Sequence, residues 1–209
     1  MAYICSGCYT NTIMPRVQLF KREQALENAM QLFWKKGYNG TSTRDLEKAT
    51  GLGTSSIYNS FGGKEALFFE TLQHYMAAEH LRVNHSITGA PSALQALKAL
   101  FECVLQAESA LDARLMGCFL VNSVTEMANC HSLLNRFAVD ARNATIHLLK
   151  ELLIKAQLQK EIPETSNPEQ LAVYLQTVMT GLKVTGMLTK DRKELQSIVE
   201  ITLLNLTKE

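Results

Sequence analysis

What this chain lacks narrows its possible roles first. No uninterrupted apolar run approaches the roughly 18–20 residues of a membrane span, and the N-terminus has no basic n-region or apolar core of a secretory signal. The five cysteines are an odd number scattered through 209 residues, so a disulfide framework is not expected and reduced thiols in the cytoplasm are. There is no nucleophile–base spacing, no metal pair at i, i+4 and no Gly-rich phosphate loop, so nothing points to an enzyme or a cofactor. The single Cys-x-x-Cys, Cys5 to Cys8, has no second pair, and zinc takes four ligands. Period-2 strand segments and internal repeats are absent too.

What is there is helical. Leu26, Ala29, Met30 and Phe33 form a 3.6-period stripe that Lys35, Lys36 and Gly37 close. A short helix follows from about Arg44 to Thr50, with Ser42 or Thr43 as N-cap and Gly51 as its stop. Another runs from Thr54 to Ser60 and ends at Gly62-Gly63. Lys64 opens a longer one with Phe68, Leu72, Tyr75, Met76 and Glu79 on one face, broken by the Thr88–Pro91 turn. Ser92 with Gln95 reads as a capping box for the next. Further helices are expected at Leu115 to Ala128, Ser132 to Gln159, Asn167-Pro168 onward, and from Asp191 to Leu206. The fold class is all-α: an N-terminal three-helix helix-turn-helix domain and a larger helical domain. The expected boundaries are 14–63 and 64–209.

Net charge is only +1, but its distribution is uneven. Residues 14–64 carry a formal charge of +4 and residues 65–209 carry −3. A basic front on an acidic body fits one part meeting a polyanion. The Thr54–Ser60 segment is short, polar and nearly uncharged, a poor choice for a purely structural helix. With Leu46, Leu52, Ile57 and Phe61 forming a small core, Thr54, Ser55, Ser56, Tyr58 and Asn59 point outward near the helix start. Hydroxyls and amides there reach phosphates and base edges, and the helix N-terminus favours a phosphate. The segment reads as a major-groove recognition helix.

The stretch "ALENAMQLFWKKGYNGTSTRDLEKATGLGTSSIYNSFGGKEALF" resembles the N-terminal DNA-binding domain of the TetR family of bacterial transcriptional regulators. The Gly-Tyr turn, the Thr-Ser-Thr helix entry, Tyr-x-x-Phe and Lys-Glu-x-Leu carry the likeness. The resemblance implies DNA contacts by Thr43, Arg44, Thr54, Ser55, Ser56, Tyr58, Asn59 and Lys64. It also implies a homodimer on a palindromic operator and a small-molecule ligand in the C-terminal domain, most often acting on a repressor. Glu47 departs from the pattern, which favours a small residue; its carboxylate is expected to turn to solvent.

In the back half, the last two helices are apolar over more than one face, which suggests a four-helix dimer interface built from two helices of each subunit. Phe101, Met116, Phe119, Met127 and Tyr174 are candidates to line a ligand pocket, with Asn122 and His147 as polar anchors. Cys118, beside Gly117 near a helix start, is the candidate for a reactive thiol. The competing reading is a redox or electrophile sensor, or a helical redox protein, acting through Cys118; an architectural DNA-binding factor without a ligand is a third. Met14 is the expected translation start, which would leave residues 1–13 outside the protein. Arg16, Lys21 and Arg22 would then form a basic arm toward phosphates.

Overall fold

The computed structural model describes residues 16–107, 116–127, 131–189 and 191–207, with the side chains of 16–20 and 106–107 outside the description. Cys5, Cys8, Cys130 and the Arg16 side chain therefore lie outside it. Among the described residues the chain is helical with no strand: α1 (Arg16–Lys36), α2 (Thr43–Thr50), α3 (Thr54–Phe61), α4 (Lys64–Ile87), α5 (Ala93–Ala107), α6 (Phe119–Met127), α7 (Ser132–Leu158), α8 (Pro168–Leu188) and α9 (Arg192–Leu206).

The ends follow from local chemistry. Asn167 accepts the Glu169 and Gln170 N–H groups to start α8, with Pro168 at the first helical position, and Asp191 accepts the Lys193 N–H to start α9. The first N–H groups of α5 are satisfied from afar as well as locally. Ala93 N–H donates to Gln159 Oε1 (2.8 Å) and Leu94 N–H to Glu161 Oε2 (3.0 Å), beside the expected Ser92 cap. Within the described residues α6 begins later than expected, at Phe119. The Cys118 carbonyl, just past Gly117 (φ 63°), accepts the Asn122 N–H as the first helical bond.

Two apolar cores are stacked along the molecule. The first joins α1–α3 to the N-terminal half of α4, to α6 and to the start of α7, and its centre is aromatic. Phe33, Phe68 and Phe119 are almost fully enclosed, with Phe68 edge-on to Phe33 (5.2 Å) and to Phe119 (5.8 Å). Burying each ring contributes about 1.5–3 kcal/mol. Each edge-to-face pair adds about 0.5–1.5 kcal/mol. The second core joins α5, α7, α8 and α9 through Leu97, Phe101, Leu149, Leu153, Leu175 and Val199. Val83 and Ile87, at the far end of α4, pack against it, so α4 runs through both.

By length and composition α8 could cross a membrane, but one face of it packs on α5, α7 and α9. Its other face carries Val173, Tyr174, Val184 and Leu188 exposed, and α9 exposes Ile201 and Leu204 on its own outer face. A helix apolar on both sides has a second apolar surface to cover.

Candidate nucleic-acid interface and the adjoining cavity

The polar face is built by α2, a three-residue turn and α3. Ser42 is the N-cap of α2, in a complete capping box: its hydroxyl accepts the Asp45 N–H (3.1 Å) and the Asp45 carboxylate accepts the Ser42 N–H (3.0 Å). Thr43 is thus the first helical residue, exposed beside Arg44. The Ser42 hydroxyl, the Ser42 N–H and Lys36 (3.0 Å) together hold the Asp45 carboxyl well below the usual carboxylate range. Gly51 ends α2 at φ 71°, a left-handed turn in which a side chain is strained, and sends the chain across into α3.

The structure corrects the expectation for Glu47. Rather than turning to solvent, its carboxylate spans the turn and accepts both the N–H (2.8 Å) and the hydroxyl (2.6 Å) of Thr54. The residue before Thr54, Gly53, offers no side-chain cap, so Glu47 caps α3 from the neighbouring helix. The two Thr54 bonds, the hydroxyl first, lower the Glu47 pKa. This contact also fixes the angle between α2 and α3. No local pattern marks it, because donor and acceptor are seven residues apart across a turn.

Ile57 and Phe61 anchor α3 in the core, and Ser55, Ser56, Tyr58 and Asn59 stand out from it, Tyr58 at 62% exposure. The Tyr58 ring rests against Gly63, where an added Cβ would lie 3.2 Å from the ring. Lys64 is close by, its Nζ 4.3 Å above the Tyr38 ring, a cation–π contact that orients the ammonium at the start of α4. Thr43, Arg44, Thr54, Ser55, Ser56, Tyr58, Asn59 and Lys64 therefore all belong to α2, α3 and the first residue of α4. Arg22 does not act as a free arm. Its guanidinium makes two bonds to the Glu70 carboxylate (2.7 and 2.9 Å) and lies 4.5 Å from the Phe61 ring, tying α1 to α4 and α3.

Helix α6 is fastened directly to this unit. The Glu126 carboxylate accepts the N–H groups of Tyr38 (2.9 Å) and Asn39 (2.7 Å) in the turn between α1 and α2. Gly37, at φ 75°, lies against it: a Cβ there would stand 2.6 Å from Glu126 Oε2, so a side chain would displace the carboxylate and strain the left-handed backbone. At the other end, Trp34 Nε1–H donates to the Met116 carbonyl (3.0 Å), just before α6.

The opposite side of α6 faces a cavity of about 710 Å³ walled by α4 to α8, within the range of sites for drug-sized ligands. Leu100, Val104, Leu149 and Met179 make its walls apolar. Tyr75 donates to Cys118 Sγ (3.5 Å) at one end, and burial first, then Cys118, pushes the Tyr75 phenol well up, so it stays neutral. One turn further along α4, a single terminal nitrogen of Arg82 donates to both Glu79 carboxylate oxygens (2.6 and 2.8 Å).

Most of the expected ligand residues lie elsewhere. Cys118 lines the cavity, but Phe101 is enclosed in the second core, and Phe119 and Met127 in the first. The Asn122 amide, on α6, donates to the Met116 carbonyl in the turn before that helix, and neither residue is in the lining. The His147 side chain is 72% exposed beside Glu151, and Tyr174 faces outward on α8. Periodicity identified which residues are apolar, not which side of a helix meets a void. The Glu79–Arg82 spacing, i to i+3 on an otherwise apolar helix face, was the available signal for the cavity. Cys118 is a buried thiol held by Tyr75, and the redox alternative is not favoured. Among the described residues no group of three or more His, Cys, Asp or Glu is arranged to hold a metal.

Residues 25–71 match the family described as bacterial regulatory proteins, tetR family, and residues 93–202 match the tetracyclin repressor-like C-terminal domain. The HTH-type transcriptional repressor ComR of Escherichia coli (strain K12) is 30% identical over 196 residues, covering 90% of this chain and 90% of ComR. A cysteine mutant of the TetR family regulator CifR, solved with a 26-base-pair operator duplex, superposes at TM-score 0.77 with 28% identity, over 88% of this chain and 95% of that one. A TetR regulator from Chloroflexus aurantiacus superposes at TM-score 0.85 over 93% of this chain and 98% of that one; at 19% identity the likeness is one of fold.

Proposed function

Because this chain belongs to the bacterial tetR regulatory family, and so is a DNA-binding transcriptional regulator and not an enzyme, we propose that it is a homodimeric, ligand-released repressor of a palindromic operator. The named repressor ComR and the operator-bound regulator CifR support that reading. Arg44, Thr54, Ser55, Ser56, Tyr58 and Asn59 enter the major groove, and Thr43 and Lys64 hold the flanking phosphates. The protomers pair through the exposed apolar faces of α8 and α9, which places two α3 helices about one DNA turn (~34 Å) apart. A regulator of chromosomal DNA works in the cytoplasm.

One observation carries the ligand response: α6 lines the cavity on one side and bonds the α1–α2 turn on the other, through Glu126. A ligand that moves α6 pulls on the recognition unit directly, without relying on unspecified flexibility. Selection of binding sites from random duplex DNA at physiological salt tests the reading. A palindrome with half-sites one turn apart is the expected outcome; binding with no enriched sequence would remove the operator and leave only nonspecific phosphate contact.

A further inference from the structure

Beyond its apolar walls, the cavity has an uneven set of ionised groups. Its lining includes Glu79, His80, Arg82, Arg142 and Lys183. The single carboxylate among them, Glu79, is taken up by Arg82, whose other terminal nitrogen donates to the Cys103 carbonyl (2.9 Å). That internal pair is neutral. Among the described residues Arg142, which is exposed, and Lys183 have no ion pair and no hydrogen bond, so the lining keeps two positive side chains without a carboxylate partner. Both lie on the α7–α8 hairpin, toward the end away from its Pro163 turn. Lys183 is half-buried, so it has lost part of its hydration without gaining a partner. At the other extreme, Leu100 and Leu149 are fully enclosed and apolar.

We propose that the cavity takes an amphiphilic monoanion, an apolar chain or ring system ending in one acid group that Lys183 and Arg142 hold. The proposal rests on the ligand-released reading above and specifies its ligand. An acid head restores the partner Lys183 lacks and forms charge-assisted bonds with the guanidinium, while the apolar body covers Leu100, Val104, Leu149 and Met179. A cation meets two like charges, and a neutral alcohol gains nothing from them.

The protein carries its own reporter. Trp34, the one tryptophan of the chain, lies with its ring 5.1 Å from Tyr75, which lines the cavity. Titrating the full chain with dodecanoate, dodecanol and dodecyltrimethylammonium, each below its micelle or solubility limit, and following tryptophan fluorescence compares three head groups on one tail. Dodecanoate is expected to bind at least tenfold more tightly than dodecanol, and the ammonium most weakly. Lys183→Gln, and Lys183→Gln with Arg142→Gln, should bring dodecanoate toward the affinity of the alcohol. Equal or tighter binding of the alcohol or the ammonium overturns the assignment, as does binding by none of the three or a double variant that keeps the preference. A parallel titration against the selected operator duplex separates the two readings. Tight, head-group-selective binding that leaves the duplex bound refutes ligand release while upholding the acid-binding cavity.

Discussion

Gly181 stands on the outer face of α8, in the stripe with Tyr174, Thr177, Val184 and Leu188, and a Cβ built on it meets no atom within 4 Å in the protomer. Gly181→Ala therefore has effects of opposite sign on folding and on association. Within a protomer it replaces the residue of largest backbone entropy in a helix interior and should stabilise by about 0.8–1 kcal/mol. For a chain of this size that corresponds to a rise of about 2–4 °C in melting temperature. If α8 forms the two-fold interface, the same methyl enters a close-packed contact, once from each subunit. Overpacking of that kind costs about 1–3 kcal/mol per site, so about 2–6 kcal/mol per dimer. At about 1.4 kcal/mol per decade, the dissociation constant rises by roughly 30-fold to 10⁴-fold. The helix gain appears equally in monomer and dimer and cancels from that constant. Sedimentation equilibrium of wild type and variant measures the association, and melting at a concentration where both are monomeric measures the fold. A variant that melts higher but dimerises as tightly as wild type would refute the placement of α8 at the interface. Gly181→Gln should act in the same direction on association, more strongly, and should lower operator affinity with it.

Tyr58→Ala removes an exposed ring backed by Gly63; we expect operator affinity to fall by about 1–3 kcal/mol per half-site while the dimer persists. Unchanged affinity in an anisotropy titration would displace the recognition face from α3. Glu126→Ala deletes the acceptor of two backbone N–H groups. Because the group is solvent-exposed the stability loss is expected to be small, about 1 kcal/mol, whereas the ability of ligand to release the operator should fall at least tenfold. A variant that still releases normally would show that α6 is not the route. Acid should loosen the recognition unit, since Asp45 and Glu47 both have folded pKa values depressed below their unfolded ones. Their contribution is present above about pH 4 and is lost as pH falls through the folded values. Asp45→Asn with Glu47→Gln should flatten the acid limb of melting temperature against pH; an identical limb in wild type and variant would refute this linkage.

Much of this molecule is legible one helix at a time. Ser42 and Gly51 bracket α2, Gly62-Gly63 stops α3, Asn167-Pro168 opens α8 and Asp191 opens α9, because caps and stops act on backbone groups within a few residues. The outward set on α3 follows from the same local rule, since burying Ile57 and Phe61 leaves only one orientation for Tyr58 and Asn59. The ligand residues were not legible in this way. Phe101 and Met179 look alike as apolar positions on helices and both join the second core, yet only Met179 also borders the void. That difference depends on how five helices cross.

By itself, then, the sequence determined the helices, their ends and the polar face of α3, all settled by bonds and burial patterns that span a turn or two. Only the tertiary structure decided that Glu47 caps the helix after its own, that Arg22 is locked to Glu70, and that Glu126 bridges the cavity wall to the α1–α2 turn. These partners are separated by between 7 and 88 residues. A carboxylate's partner at that distance is chosen by packing geometry, of which a sequence pattern carries no trace.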